Sequence, residues 1–382
     1  MEASFILSVM SVQWSPMAMQ ILVYPIFFAS VVATLLSSAA MAQPNLGLPD
    51  LQLEDNPSVV SLGQKLFFDR RLSFNNTLSC AMCHIPEQGF AQNQLQTSVG
   101  FEGQVTERNA PTLLNVGLYQ TLFYDGREFS LENQIWSPLL ADREMANPSM
   151  GWVIEQLQGM DDYEDQFALF SEGLTASTLG QALAAYQRSL IAANSPFDRW
   201  YFLGDQSAVS EQVKQGFAQF KRLGCADCHL VLENEAPFTD QQFHNTGIGY
   251  HRSMGNGSGP RSFVVGGTRT ITTLERFDDR RSNDLGRYEA TQDPQDRWKF
   301  RTPSLRNVAL TAPYMHDGTL PTLGAVIDFY AQGGFKAPGQ DPRIRTLSLP
   351  VEQRAQLEAF LKSLTSDEVG RLIALARNKS NP

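Results

Sequence analysis

The chain has 382 residues, of which 42% are hydrophobic and 18% charged, enough apolar material for a sizeable core and a length that suits two domains. That balance excludes long-range disorder, and a net charge of −10 without any Lys or Arg cluster excludes a nucleic-acid binder, which needs a basic face to neutralise phosphates. All four cysteines fall in two close pairs, Cys80/Cys83 and Cys225/Cys228, each followed at once by a histidine, a count that points to cofactor attachment.

At the N-terminus an apolar stretch from Ile21 to Leu36 leads into Ala40-Met41-Ala42. Residues 1–42 therefore read as a secretory signal cleaved after Ala42, which makes the protein exported and periplasmic. No Lys or Arg precedes Lys65, so the usual basic start is missing, and beginning at Met17 or Met19 does not restore it. A retained membrane anchor is the competing reading; the apolar run is short for a span and Pro25 interrupts it.

Beyond the signal, two halves repeat one plan: an amphipathic helix, Cys-x-x-Cys-His, a loop rich in Gly, Asn and Pro, then further helices. Val59, Leu62, Leu66 and Phe67 recur at helical spacing before the first motif, as do Val209, Val213, Phe217 and Phe220 before the second. Helices also fit Leu179–Leu190, Leu323–Tyr330 and Val351–Leu364, whereas alternation of period two is hard to find. The expected fold is mostly α, with an N-terminal domain over 43–205, a C-terminal domain over 206–382, and a mobile Gly/Ser-rich loop from Gly255 to Gly267.

In Cys80-Ala81-Met82-Cys83-His84 and Cys225-Ala226-Asp227-Cys228-His229, two thiols one turn apart can each add to a porphyrin vinyl group while the adjoining histidine reaches the iron. Two such motifs that use every cysteine of an exported chain predict two covalently bound haem c groups, with His84 and His229 as iron ligands. Zinc requires further paired ligands and leaves both histidines unexplained. Disulfides within each pair close loops too short to stabilise a chain of this length. Only His244, His251 and His316 remain for other work. Any sixth iron ligand must otherwise come from Met or Tyr, and a haem without one can bind peroxide.

Around these motifs stand further short runs: Leu62-Gly63-Gln64-Lys65-Leu66-Phe67-Phe68-Asp69, Arg108-Asn109-Ala110-Pro111-Thr112, Asp125-Gly126-Arg127 and Glu144-Met145 in the first half, then Phe243-His244-Asn245-Thr246-Gly247, Pro303-Ser304-Leu305-Arg306-Asn307-Val308 and Ala312-Pro313-Tyr314-Met315-His316-Asp317-Gly318. With them the chain resembles the bacterial di-haem cytochrome c peroxidase superfamily, which includes the methylamine-utilisation (MauG) enzymes, from Leu62 to about Leu364. The resemblance implies two cytochrome c-like α domains, an N-terminal haem that meets hydrogen peroxide and a C-terminal haem that supplies electrons. In the cytochrome c peroxidases of this superfamily a distal histidine about sixteen residues beyond the first motif caps the resting iron. Here that place is near Gly100, and no histidine lies between His84 and His229, which implies an open N-terminal haem as in the MauG branch.

The same resemblance implies a distal pocket of Gln134, Pro138 and Glu144, with Glu144 as the acid-base group that moves a proton between the peroxide oxygens. Tyr124 stands where the family usually has a tryptophan between the haems; as a relay it must release its phenolic proton, and Trp136 does not match that position. The C-terminal haem's sixth ligand, Met in cytochrome c peroxidases and Tyr in the MauG branch, falls on Tyr330, with Met315, Met254 and His251 as competitors. His316 fits a supporting hydrogen bond near the haems, and His244 a contact to a propionate. Asn109, Thr311 and Pro313 match the family's calcium site between the domains. The expected activity is peroxide reduction with electrons from a small redox protein or from oxidisable side chains of a partner. A conventional cytochrome c peroxidase is the nearest alternative, and a di-haem electron carrier without peroxidase chemistry is the alternative of another class.

Overall fold

A computed structural model describes residues 45–49, 56–254, 261–265, 269–273 and 283–378. The signal-like segment 1–42 lies outside them. Helices dominate in chain order: α1 Pro57–Phe68, α2 Cys80–Cys83, α3 Leu131–Gln134, α4 Trp136–Leu140, α5 Met150–Gln158, α6 Asp161–Phe167, α7 Ala176–Arg188 and α8 Pro196–Leu203. The second part continues with α9 Glu211–Arg222, α10 Ile248–Met254, α11 Tyr288–Thr291, α12 Leu323–Ala331, α13 Val351–Lys362 and α14 Glu368–Asn378. Among the described residues no helix is long and apolar enough to cross a membrane.

Local chemistry sets these helices. Asn56 caps α1 by accepting from the Ser58 amide, with Pro57 at the first helical position, where its missing N–H costs nothing. Thr175 closes a capping box on α7 and Ser210 caps α9. Val209 precedes that cap, so only Val213, Phe217 and Phe220 of the expected stripe are helical, and all three are buried.

The repeat is visible in how the helix before each motif packs. A β-carbon on Gly63 of α1 would stand 1.8 Å from the Ala182 carbonyl oxygen of α7, and one on Gly216 of α9 would stand 2.0 Å from the Gln356 carbonyl oxygen of α13. Only hydrogen fits at either place, so each motif-bearing module begins with a helix pressed backbone to backbone against a later one.

Two large hydrophobic clusters and a small one of Leu48, Ile191 and Ala193 result among the described residues. The first gathers Leu62, Leu66, Phe67, Leu139, Leu179 and Leu183, and the second centres on Phe197, Phe217, Phe220, Phe238 and Phe360, whose rings meet edge to face or tilted. Val369, Leu372 and Ala376 of α14 join the first cluster, so the end of the chain returns to the half that began it. A buried ion pair ties the parts together: Arg306 donates to both Asp198 carboxylate oxygens at 2.9 and 3.0 Å and also to the carbonyls of Ala236 and Gly47.

Strands are few among the described residues. β1 Phe243–His244 pairs antiparallel with β4 Phe300–Arg301, and β2 Arg261–Val265 with β3 Arg269–Thr273. The second pair corrects the expectation of a loop over Gly255–Gly267. Val264, Val265, Thr270, Ile271 and Thr272 are β-branched and favour extended backbone, a preference hidden by the flanking glycines. The rest of that segment lies outside the described residues.

Candidate active site

Each Cys-x-x-Cys pair sits on a single helical turn, α2 in the first half and a 3₁₀ turn Cys225–Asp227 in the second. All four thiols are free, and burial pushes Cys80 up to about 12 and Cys225 up to about 11, so both stay neutral. The histidines are oriented from behind. His84 Nδ1 lies 3.0 Å from the Pro111 carbonyl oxygen and 3.3 Å from that of Phe90, and His229 Nδ1 lies 2.9 Å from the Phe238 carbonyl oxygen. A carbonyl only accepts, so Nδ1 carries the proton in both rings and Nε2 keeps its lone pair. Burial lowers both imidazole pKa values and favours this neutral form.

One cavity of about 850 Å³ is lined by both motifs. From the first half it receives Tyr124, Gln134, Pro138 and Glu144, and from the second Tyr330, His244 and His316. Asn109, Thr311 and Pro313 line it as well. The sequence had placed these residues up to hundreds of positions apart, and the fold gathers them on one wall or another of the same space.

Glu144 stands in a tight turn after α4, its amide donating to the Ala141 carbonyl at 2.9 Å and its own carbonyl accepting from Phe101 at 2.9 Å. Burial raises the pKa of its carboxyl, and the charge of Arg127 opposes this. Tyr124 is held through its carbonyl, which accepts from the Arg301 amide at 2.7 Å, and burial raises its phenol well above the usual range. Tyr330 of α12 is likewise raised by burial, with the thiols Cys228 and Cys225 acting on it next. Among the described residues, none of the polar ends of Glu144, Gln134, Tyr124 and Tyr330 takes a hydrogen-bond partner.

The competitors for the Tyr330 place separate. Met254 is 61% exposed and His251 stacks on Phe335, and neither lines the cavity. Met315 does line it, but in a turn whose next residue, His316, accepts from the Asn109 amide of the first half at 2.8 Å. His316 lies flat on Phe300 with ring centroids 3.6 Å apart, and its Nε2 is buried without a partner. His244 has both ring nitrogens engaged, Nε2 by Asp240 and Nδ1 by Asp341, each at 2.8 Å. No nitrogen is left for a propionate. Asn109 donates its side-chain amide to the Gln96 carbonyl at 3.0 Å, which leaves its amide oxygen as a ligand atom.

Sequence reasoning passed over the charges that join the two halves. Arg108 makes a forked pair with Asp284 at 2.8 Å on both arms and reaches Asp125 at 2.6 Å, while Arg287 donates to the Asp125 carbonyl at 3.0 Å. Arg108 and Asp125 both stand in the motifs already quoted, yet their polar neighbours Glu107, Asn109 and Arg127 gave no sign that these charges are buried. Nothing in the sequence marks Asp284.

Residues 57–207 match the family model described as di-haem cytochrome c peroxidase. Over 315 residues the chain is 36% identical to the methylamine utilization protein MauG of Methylorubrum extorquens, covering 81% of this chain and 79% of that protein. It is 35% identical over 356 residues to cytochrome-c peroxidase IdrP1 of Denitromonas iodatirespirans, covering 89% and 93%. The chain belongs to the di-haem cytochrome c peroxidase and MauG family. Among solved structures, a MauG-like protein associated with microbial copper homeostasis superposes with a TM-score of 0.68 at 29% identity, over 85% of this chain and 94% of that one. As a di-haem peroxidase of this family, the protein uses haem c, hydrogen peroxide and a protein electron donor or substrate. The chain's donor set fits that cofactor: four free thiols in two turns, two imidazoles with Nε2 unprotonated, and a shared cavity.

Proposed function

We propose that the protein is a MauG-like peroxidase, open at the His84 haem and ligated by Tyr330 at the His229 haem. The observation that carries this reading is the Tyr330 phenol, which lines the cavity, feels Cys225 and Cys228, and has no other partner among the described residues. Haem, when bound, supplies iron that accepts electrons and binds peroxide oxygen. The protein's own part is to hold and move protons. Glu144 in its carboxylate form takes the proton of the inner peroxide oxygen and in its protonated form delivers one to the leaving oxygen. Gln134 lines the same pocket with its side-chain amide free to meet a ligand, and Pro138 adds an apolar wall.

Tyr124 stands between the halves as the relay, and its raised phenol keeps the proton until oxidation expels it. Asn109, Thr311 and Pro313 hold a calcium ion through the side-chain amide oxygen and backbone carbonyls. Electrons come from a small redox protein or from oxidisable side chains of a partner, and the chain works in the periplasm after removal of residues 1–42.

An anaerobic redox titration followed by haem absorbance tests the reading. Reduction of both haems only at low potential supports an anionic oxygen ligand. One haem reducing at a clearly positive potential removes Tyr330 as the ligand and makes the protein a conventional cytochrome c peroxidase.

A further inference from the structure

Arg301 is only 8% exposed and lines the cavity, yet it pairs with no carboxylate among the described residues. Its position is fixed from three sides. The backbone amide donates to the Tyr124 carbonyl at 2.7 Å, Nε donates to the Phe123 carbonyl at 3.2 Å, and the guanidinium lies 3.6 Å from the Tyr119 ring centroid. Tyr119 is itself held, its hydroxyl accepting from the Ser304 amide at 2.8 Å. Nη1 is buried without a partner, and no carboxylate meets the guanidinium among the described residues.

A guanidinium cannot shed its charge and has only donors to offer, so burying it alone is unfavourable unless an anion meets the free arm. Other buried arginines here obey that rule: Arg306 meets Asp198, and Arg108 meets Asp125 and Asp284. Arg301, which lines the cavity, breaks it. The neighbouring residue, Phe300, carries His316 on its face, and His316 also lines the cavity. An uncompensated guanidinium on the wall of a cavity that takes an acid-bearing cofactor calls for that acid as its partner.

We infer that Arg301 is the anchor for a haem propionate carboxylate at the seam between the two halves, its guanidinium donating to the carboxylate while its tethers hold it against Tyr124 and Tyr119. The anion comes with the cofactor, since each haem c brings carboxylates into this cavity. Arg301 is thus a positioning residue: the same side chain that is tied to the Tyr124 loop fixes one edge of a haem, so relay and haem are registered to a single guanidinium. The inference rests on two haems filling this cavity and is independent of ligation by Tyr330.

The test uses purified holoprotein with both haems attached, in Arg301→Gln and Arg301→Lys variants. Loss of the positive charge beside a propionate stabilises ferric iron, so Arg301→Gln lowers the midpoint potential of one haem, and Arg301→Lys returns it toward the parent value. The haem whose potential moves is the one whose propionate is held. Resonance Raman bands of propionate bending, which report hydrogen bonding to the carboxylate, shift in both variants because lysine lacks the fork. If Arg301→Gln does not accumulate, the Raman band of Arg301→Lys decides alone. Unmoved propionate bands in a folded, haem-loaded variant overturn the inference. Absence of haem from the parent protein would instead overturn the peroxidase reading.

Discussion

A β-carbon on Gly100 would stand 2.0 Å from the carbonyl oxygen of Arg143 and 2.9 Å from Cα of Glu144. The strand of loop that in a capped relative would carry a distal histidine is therefore pressed against the very turn that presents the acid-base residue. Gly100→Ala is expected to force that turn outward, slowing the peroxide reaction and lowering stability by about 1–3 kcal/mol through overpacking, with both haems still attached. Stopped-flow kinetics beside thermal unfolding check this; an unaffected rate would show that the turn and the loop move independently.

With Glu144 as the proposed acid-base group, the reaction is expected to have an acid limb. Burial raises the carboxyl's pKa, only partly opposed by Arg127, so the carboxylate needed to accept a proton is lost on acidification earlier than for an ordinary glutamate. The rate of the peroxide reaction should fall with decreasing pH along a limb centred above the usual carboxylate range. In Glu144→Gln the limb disappears and the rate drops by about 10²–10⁴. Unchanged kinetics in that variant remove Glu144 from the mechanism.

Tyr330→Phe removes the oxygen donor while keeping the ring. The His229 haem should then lose its sixth ligand, gain a high-spin ferric signal and rise in potential, with the His84 haem unaffected. Electron paramagnetic resonance with a redox titration reads both changes. A spectrum identical to the parent's would transfer the role to Met315 or to no residue.

The Arg108 fork predicts an acid-sensitive joint. Burial alone would raise the Asp284 carboxyl, but the hydrogen bonds and charge of Arg108 outweigh it and hold the pKa at about 2. An unfolded aspartate titrates near 3.8, so this stabilisation is complete above that pH and is lost as pH falls through about 2. Arg108→Met leaves the buried Asp284 carboxylate without its ion-pair partner, while Asp125 keeps Arg127, and is expected to cost about 3–5 kcal/mol at neutral pH. Urea unfolding should show the gap between parent and variant narrowing steadily toward pH 2. A gap independent of pH would mean that the loss is one of packing rather than charge.

What the sequence disclosed was whatever repeats locally. The two Cys-x-x-Cys-His turns, the stripe on α1, the start of α12 at Leu323 and of α13 at Val351 all rest on spacings of a few residues. The hairpin of β2 and β3 was missed because its glycine-rich flanks outweighed five-residue strands. The pinning of His244 by Asp240 and Asp341, the fork of Arg108 on Asp284 and the orphaned arm of Arg301 depend on meetings across long stretches of chain, where no spacing rule applies. Motif order brought the site residues into one family pattern, but only the fold shows which of them have free polar ends.

The return of α14 to the first cluster bears on how the protein is made. Val369, Leu372 and Ala376 pack into the core around Leu66 and Leu179, so the half synthesised first lacks these partners until α14 has emerged. Phe197 of α8 in turn sits in the second cluster, so each half lends core residues to the other. Truncation before Glu368 would therefore injure the distant first module rather than the one it shortens, and the two halves cannot be parted into independent proteins by cutting between them.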